Sequence, residues 1–353
     1  MTDLRLRVGT AAAVIAVGAL LALPTTESPQ RPPGGPETVA SVWPRAVTGT
    51  LPAVGADGQS YTPMLFLDSG FSVGSLAVEA AAPSFVLRSP GGYRELAPAD
   101  RTKSVDAVTA TPEALFWLRS ASGADGRVGY TVWTAARAGG PARQLTADTG
   151  SPLIYGTGYD LQVAEGQVRW AAAVGEADTE IRSVPVDGGP VTTRAVPGNV
   201  VLSAWPWVVS APGRPMEVTN LVTGERRPQQ GTPGQQLTCS PVWCRSVTTR
   251  ADGGGEFELR RTDGTEARRI GGSDASPLGF GPAPLDRYEV YSTPGVSNAT
   301  GSALTVWLYD IALRRAVRVE STAYGVLVRD GVLCWSTGDH ESLVWHFLDL
   351  RSL

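Results

Sequence analysis

A short motif recurs along this chain: a turn leads into a strand that ends in an aromatic residue, and a second apolar strand follows. Its clearest copies are residues 111–117 (TPEALFW), 164–170 (AEGQVRW) and 329–335 (RDGVLCW). Units of this kind cannot bury their own apolar faces alone, so neighbouring copies must stack to form a core. The repeat therefore predicts a propeller or a solenoid.

The spacing of the copies favours a propeller, because separations of about 36 to 53 residues match the length of a propeller blade. The strand centres fall near Phe66, Trp117, Trp170, Trp207, Trp243, Val290 and Trp335. Short strands broken by Gly and Asp turns indicate an antiparallel sheet in each copy. Since Trp117, Trp170, Trp243 and Trp335 recur at equivalent positions, we expect them to pack inside the blades and not to form an aromatic binding cage.

The number of blades follows from the length of the repeat region and from its last copy. Residues 41–353 divided among seven copies give about 45 residues per blade. The last copy, residues 324–353, is short by one strand, and residues 46–51 (AVTGTL) are placed to supply it and close the ring. We expect an all-β propeller of seven four-stranded blades, with six or eight as alternatives. Only residues 75–82 suggest a short helix.

The N-terminus carries the pattern of an export signal. Arg5 and Arg7 precede an apolar run, residues 8–23, in which sixteen helical residues span roughly 24 Å of the ~30 Å hydrocarbon core. A hydrophobic helix that anchors the chain is favoured over a cleaved signal peptide, because no clean cleavage site follows. We expect residues 1–7 in the cytoplasm, a Pro-rich linker at residues 24–40, and a propeller domain outside the cytoplasm, or secreted if the signal is cleaved.

Composition excludes two classes of protein. An apolar share of 42% is ample for a core and excludes global disorder. The charged share is 18% and the formal net charge is −4, with no basic stripe, which argues against a nucleic-acid binder.

Two segments resemble the WD40-like repeats of the TolB-type β-propeller family. They are the turn Asp330-Gly331 before a Trp-ended strand, and residues 142–146 (ARQLT). In that family a Pro-Asp-Gly turn leads into the inner strands and a Leu-Thr pair closes the copy. No counterpart of the helical domain of TolB is present, so its partner contacts are not carried over. The chain is most similar to membrane-anchored, TolB-like propellers of actinobacteria, a resemblance that implies a scaffold and no stated activity.

One motif suggests a catalytic serine. Residues 70–74 (GFSVG) match the G-x-S-x-G nucleophile elbow, follow a strand and precede the helix-like run. The α/β-hydrolase scaffold, however, needs repeated helices on a parallel sheet, which this sequence lacks. A structural turn is therefore favoured over a catalytic Ser72.

Two places are candidates for binding. Trp205 and Trp207 replace the usual turn and strand in the irregular segment 205–217, and Asp339 and His340 lie in the turn after Trp335. A metal or acid–base site needs ligands from several segments, and no second histidine lies in a comparable loop, so a polar hairpin tip is favoured for the latter pair. Residues 121–129 and 294–301 also depart from the repeat. No metal or cofactor is expected.

The three cysteines divide into a pair and a single residue. Cys239 and Cys244 flank Trp243, and in an exported domain this spacing favours a disulfide that closes a small loop. Cys334 lies in an apolar strand, which predicts a buried free thiol.

Two functions stay open. The leading hypothesis is a non-catalytic binding or scaffolding module at the cell envelope, whose partner is a protein or another envelope component. The alternative is a propeller hydrolase or lyase that acts on glycans or lactones through carboxylates at the central funnel. That alternative requires at least two of five carboxylates to converge on the axis: Asp57, Asp68, Asp106, Asp160 and Asp339.

Overall fold

Seven antiparallel sheets follow one another along the described part of the chain. The computed structural model describes residues 35–55, 58–78, 81–249, 255–279, 281–295, 303–339 and 342–353. It begins with a short helix, α1 (Val39–Val42), and strand β1 (Thr48–Pro52). Each sheet is one blade, and its strands are numbered here in chain order.

Blade 1 contains β2 (Ser60–Phe66), β3 (Ser72–Ala77), β4 (Ser84–Ser89) and β5 (Gly92–Ala97). Blade 2 contains β6 (Lys103–Ala110), β7 (Ala114–Ser122), β8 (Val128–Ala136) and β9 (Arg143–Thr146). Blade 3 contains β10 (Ser151–Pro152), β11 (Gln162–Ala164), β12 (Gln167–Val174), β13 (Asp178–Pro185) and β14 (Thr192–Val196). Blade 4 contains β15 (Val200–Leu202), β16 (Trp207–Ser210), β17 (Glu217–Asn220) and β18 (Arg226–Pro228).

Blade 5 contains β19 (Gln235–Cys239), β20 (Trp243–Thr249), β21 (Gly255–Arg261) and β22 (Arg268–Arg269). Blade 6 contains β23 (Ser276–Pro277), β24 (Tyr288–Pro294), β25 (Leu304–Asp310) and β26 (Arg315–Ala323). Blade 7 contains β27 (Val326–Arg329), β28 (Val332–Thr337), β29 (Val344–Asp349) and, as its fourth strand, β1. Single turns of 3-10 helix occupy Pro284–Asp286 and Leu350–Ser352.

The ring closes as the sequence predicted. Strand β1 pairs with β29, with Thr48 opposite Leu348 and Pro52 opposite Val344. The N-terminal strand therefore completes the last blade, and the prediction of seven blades with this closure is confirmed.

Apolar clusters fill the junctions between neighbouring blades. Val73 of blade 1 packs in one cluster with Trp117 of blade 2, and comparable clusters join the following pairs of blades. Between blades 7 and 1, the rings of Phe347 and Phe66 lie 5.2 Å apart. The core is thus a set of layers between sheets, which single blades could not provide.

The recurring tryptophans lie at equivalent positions, on the second strand of a blade. Trp117, Trp170, Trp243 and Trp335 are all buried, so their expected role in core packing is confirmed. Phe66 is an exception, because it ends β2, the first strand of blade 1. The equivalent second strand is β3, which contains no aromatic residue.

One expectation about the N-terminal half is corrected, and another concerns residues outside the described ranges. The helix expected near residues 75–82 is wrong, because Ser75 to Ala77 belong to strand β3 and pair with β2 and β4. The apolar run 8–23 lies outside the described residues. In the part of the chain that the structure describes, every helix is too short or too polar to span a bilayer.

An arginine links each of five successive blade junctions. In each case the outermost strand of one blade carries an arginine that donates to a backbone carbonyl of the next blade. These residues are Arg94, Arg143, Arg194, Arg227 and Arg268. Because the guanidinium group is a planar fork of donors, one side chain satisfies more than one carbonyl, as Arg94 does with Ala136 and Gly140.

Candidate binding site at the central mouth

The two faces of the propeller follow from the alternation of antiparallel strands. One face carries the connections between first and second strands and between third and fourth strands, and we call it the AB face. The BC face carries the connections between second and third strands and between successive blades. Trp205 lies between β15 and β16 on the AB face, whereas Asp339 follows β28 on the BC face. The structure does not bring these two predicted binding residues together, and His340 lies outside the described residues.

Trp205 connects blade 4 to blade 3. Its indole ring lies under the Arg169 guanidinium, 3.8 Å from the ring centroid, and its Nε1 donates to Glu165 at 2.9 Å. Its backbone N–H donates to the side chain of Gln162 at 3.0 Å. Trp207 packs against a blade 4–blade 5 cluster, with the Arg227 guanidinium 4.7 Å from its ring centroid. Both tryptophans thus have structural partners, and their role in binding stays a prediction.

The cysteines occupy the positions that their spacing suggested. Cys239 ends β19 and Cys244 lies opposite it on β20, and the two form a disulfide across the turn. Cys334 is a buried free cysteine on β28, and burial raises the pKa of its thiol to about 12.

The structure does not support a nucleophile elbow at residues 70–74. Ser72 is fully buried, and its hydroxyl lies 2.9 Å from the hydroxyl of Tyr61. The segment continues into strand β3 and not into a helix. The structural turn favoured from the sequence fits this geometry, because a buried hydroxyl is closed to substrate.

The five carboxylates of the enzymatic hypothesis do not converge in the described residues. Asp57 lies outside them, and Asp68 pairs with Arg137 of blade 2 at 2.7 Å. Asp106 lies on β6, where it accepts from Ser104 at 2.8 Å, and Asp339 is on the BC face. Asp160 of blade 3 lies close enough to Arg329 of blade 7 to interact with its charge.

An excursion of blade 3 closes the centre of the ring on the AB face. Strands β10 and β11 both pair with β12, and the chain between them, residues 153–161, leaves the sheet. Asp160 holds this excursion by accepting from the backbone N–H groups of Tyr155, Gly156 and Thr157 at 2.6 to 3.1 Å. A carboxylate that accepts several backbone donors fixes a loop firmly.

Arg329 ties this excursion to the opposite side of the ring. It ends β27 of blade 7, and its Nη2 donates to the carbonyls of Thr157 at 3.1 Å and Gly156 at 3.4 Å. Blades 3 and 7 face each other across a seven-membered ring, so this contact spans the axis. Tyr159, Leu285, Asp286, Arg329 and Asp330 lie near one another at this contact, and we call the surface that they form the central mouth.

A buried ion pair positions the blade 6 side of the mouth. Glu289 is fully buried and accepts from Arg245 Nη1 at 2.9 Å and from the backbone N–H of Ala283 at 2.6 Å. Arg245 also donates to the carbonyl of Gly279 at 2.8 Å. The pair thereby holds two points, Gly279 and Ala283, of the connection between β23 and β24, which carries Leu285.

This connection contains three non-glycine residues in the left-handed region. Ala283, Leu285 and Asp286 have φ of 49°, 58° and 54°. Such backbone is costly for residues other than glycine and persists only where surrounding structure holds it. Leu285 is 49% exposed, and Gly331 lies so close that an added Cβ would be 3.2 Å from it.

The carboxyls at the mouth hold their protons more readily than in water. Loss of hydration raises the pKa of Asp286, against a weaker opposing effect of Arg261. The same cause raises the pKa of Asp330, opposed by Arg329 and Arg351. Both side chains are nevertheless exposed, so they are open to a ligand. Burial, and then the charges of these two aspartates, raises the pKa of Tyr159.

Sequence patterns pointed to one part of the mouth and missed another. Asp330-Gly331 was visible as a repeat turn, although its position on the axis was not. Asp286 lies in a connection of ten residues, 278–287, where blades 1, 2, 4, 5 and 7 have turns of two to five residues. That unusual length was the available signal. Across the described ranges, no group of three or more His, Cys, Asp or Glu side chains is arranged to hold a metal ion.

Known structures resemble this chain in fold. Prolyl oligopeptidase B from Galerina marginata in its apo form is 13% identical with a TM-score of 0.52, over 83% of this chain and 47% of that chain. A putative TolB from Agrobacterium tumefaciens is 16% identical with a TM-score of 0.40, over 64% and 83%. The WD40 domain of SCAP from fission yeast is 9% identical with a TM-score of 0.45, over 87% and 95%.

No protein-family model and no curated protein sequence matches the chain. The chain spans about half the length of the prolyl oligopeptidase that it resembles. At these identities the likeness concerns the fold alone. The order of the seven sheets confirms the predicted fold: the protein is a seven-bladed β-propeller. TolB-like and WD40 propellers are among the structures similar to it. Its membrane-anchored, actinobacterial form stays a prediction.

Proposed function

We propose that this protein is a non-catalytic binding or scaffolding module, exported to the cell envelope, which holds a protein partner at the central mouth. The observation that carries the proposal is Leu285: a large apolar side chain, half exposed, on strained backbone that the buried Arg245–Glu289 pair holds in place. Backbone strain of this kind costs ~1–3 kcal/mol per residue and concentrates at functional positions. Exposed apolar anchors beside polar groups are typical of binding surfaces.

Photocrosslinking tests the proposed surface. A photoreactive amino acid is placed at Leu285 on the AB face or, as a matched control, at Val174, which is 47% exposed in the BC-face turn of blade 3. Irradiation of intact source cells should yield one reproducible protein adduct from position 285 and none from position 174. The same adducts from both positions, or none from either, would refute binding at the mouth.

The predicted export has its own test. Protease added to intact cells, after removal of any outer barrier, should cleave the propeller if it lies outside the cytoplasm. Cleavage only after lysis would contradict that location without bearing on the mouth.

A second function is favoured by one observation, the raised pKa of the exposed Asp286 and Asp330. A carboxyl with a raised pKa is suited to act as a general acid, as a hydrolase or lyase of glycans or lactones requires. Wild-type protein should then turn over a member of a glycan and lactone panel, and Asp286→Asn or Asp330→Asn should abolish that turnover. Turnover that survives both substitutions would exclude this mechanism.

A further inference from the structure

A concavity lies on the BC face, away from the central mouth. We call it the blade-4 cavity. Its volume is about 440 Å³, within the range of about 300–1,000 Å³ that small-molecule sites occupy. It is formed by the connection between blades 3 and 4 and by the turn between β16 and β17. Its polar lining residues include Asn199, Arg214, Glu217, Arg226 and Gln229.

The cavity carries one uncompensated positive charge. Arg226 is neutralised by Glu217, whose Oε1 lies 2.7 Å from its Nη2. The exposed guanidinium of Arg214, in contrast, makes no hydrogen bond or ion pair with any described residue. A ligand that enters the cavity meets a free arginine beside a balanced pair, so charge complementarity calls for a single negative charge.

The amide side chains offer acceptors to a ligand. Asn199 donates through Nδ2 to the Glu176 carbonyl at 3.3 Å, and Gln229 donates through Nε2 to the Thr262 carbonyl at 2.7 Å. Their amide oxygens accept no hydrogen bond from the described residues. Each amide is therefore oriented by its donor and leaves its acceptor for hydroxyl groups.

Apart from Ser210, the remaining lining is apolar. Pro197, Pro215, Pro228 and Met216 contribute carbon surface between the polar groups. Proline rings lose little entropy on binding and present flat C–H surfaces. The combination of one free cation, amide acceptors and such a floor fits a ring that carries hydroxyls on its edge and C–H groups on its face.

We propose that the blade-4 cavity binds a saccharide that carries a carboxylate. Arg214 pairs with the carboxylate, the amide oxygens of Asn199 and Gln229 accept from ring hydroxyls, and the sugar ring lies on the prolines. A peptide C-terminus also satisfies Arg214 but brings fewer hydroxyl donors, so the observations favour the sugar. This site is independent of the central mouth.

Ligand-observed NMR titration with sodium D-glucuronate tests the proposal. Glucuronate should bind at least tenfold more tightly than D-glucose, which lacks the charge, and than acetate, which lacks the hydroxyls. Arg214→Ala should weaken glucuronate binding at least tenfold, and Asn199→Ala severalfold. Arg127→Ala, at another exposed arginine of the BC face, should leave binding unchanged.

Several outcomes overturn the proposal. Glucuronate binding that is equal in wild type and Arg214→Ala places the ligand elsewhere, and equal binding of glucose removes the role of charge. Tighter binding of acetyl-dialanine than of glucuronate assigns the cavity to peptide carboxylates. Absence of binding by all probes at 50 mM also refutes the saccharide site. Because Arg214 is exposed, an unchanged melting temperature of Arg214→Ala shows that the variant remains folded.

Discussion

At the scale of single residues, the buried charges act through the backbone that they hold. Glu289 and Arg245 lie between blades 5 and 6, and they hydrogen-bond to Ala283 and Gly279 of the strained connection. A buried ion pair is often no more stabilising than apolar residues of similar size. Its value here is positional, because it keeps Leu285 and Asp286 at the mouth.

Removal of Glu289 should be strongly destabilising. Glu289→Ala leaves the Arg245 charge buried and unpaired, and we expect the free energy of unfolding to fall by ~3–5 kcal/mol. Urea denaturation measures this change. Arg127→Ala, whose side chain is 90% exposed, should change stability by less than ~0.5 kcal/mol. Equal effects of the two substitutions would show that the pair does not support the connection.

Asp330 should make stability depend on pH in a defined direction. Its pKa is raised in the folded protein, so the folded state binds this proton more tightly than the unfolded chain. The favourable contribution is complete below the unfolded pKa, near 3.8, and is lost as pH rises through the folded pKa. Asp330→Asn, which tolerates the left-handed φ of 48°, should therefore gain stability relative to wild type as pH rises from about 3.5 to 7.

Asp263 provides a control of opposite sign. Its hydrogen bond from the Thr265 hydroxyl lowers the pKa of its carboxyl. Asp263→Asn should accordingly lose stability relative to wild type over the same pH interval. Melting temperatures at each pH measure both variants, and parallel behaviour of the two would contradict the assigned directions.

At the scale of elements, the arginines of the outermost strands connect neighbouring blades by hydrogen bonds. These bonds are directional, whereas hydrophobic packing is not. Four of the five guanidinium groups reach carbonyls in or next to the turn between the third and fourth strands of the next blade, and Arg227 reaches Pro241 in the turn between β19 and β20. Most of those carbonyls lie in turns, where the arginine supplies a donor that the sheet does not. Lysine, a point charge without a fork, would not match two carbonyls at once.

Arg94→Met tests this function of the arginines. The substitution removes bonds of 2.6 Å to Ala136 and 3.0 Å to Gly140 but keeps most of the aliphatic side chain. We expect a loss of about 1–2 kcal/mol in the free energy of unfolding and faster amide exchange in residues 136–140. Arg127→Met should have neither effect. Unchanged exchange in Arg94→Met would show that the bonds do not restrain the turn.

At the scale of the whole molecule, the ring depends on one seam between the two ends of the described chain. Strand β1 carries no arginine, so this junction lacks the link that joins five others. It relies on the β1–β29 pairing, on the Phe66–Phe347 contact and on the bond from Trp345 Nε1 to the Tyr61 carbonyl, 3.0 Å long. Close packing at this seam therefore determines whether the ring stays closed.

Gly49→Val should open the seam. A Cβ at Gly49 would lie 2.4 Å from the ring of Phe347, so the larger residue must displace β1 or that ring. We expect a loss of ~1–3 kcal/mol in stability and faster amide exchange in β1 and β29. Gly129→Val is the matched control, because it lies in β8 with no atom within 4 Å of the added Cβ. Similar exchange in the two variants would exclude the seam as the sensitive point.

The sequence by itself determined the repeat, the number of blades and the strand that closes the ring. These features depend on local physics: the alternation of apolar residues, the turn residues between strands and the burial that each copy requires of its neighbours. The recurring positions of the tryptophans likewise predicted that they pack in the core. The spacing of Cys239 and Cys244 predicted a disulfide that closes a small loop. The pattern was less regular in blade 1, where Phe66 lies on the first strand and not on the second.

Only the tertiary structure decided where chemistry is possible. Asp160 is more than a hundred residues of sequence away from Asp286 and Asp330. The three meet because ring closure brings blades 3, 6 and 7 to one axis. The raised pKa of Asp330 follows from the protein that surrounds it, which no local pattern records. The burial of Ser72 likewise argues against a catalytic role for the G-x-S-x-G motif. Local order thus predicts the blades, whereas the mouth and the blade-4 cavity depend on long-range contacts.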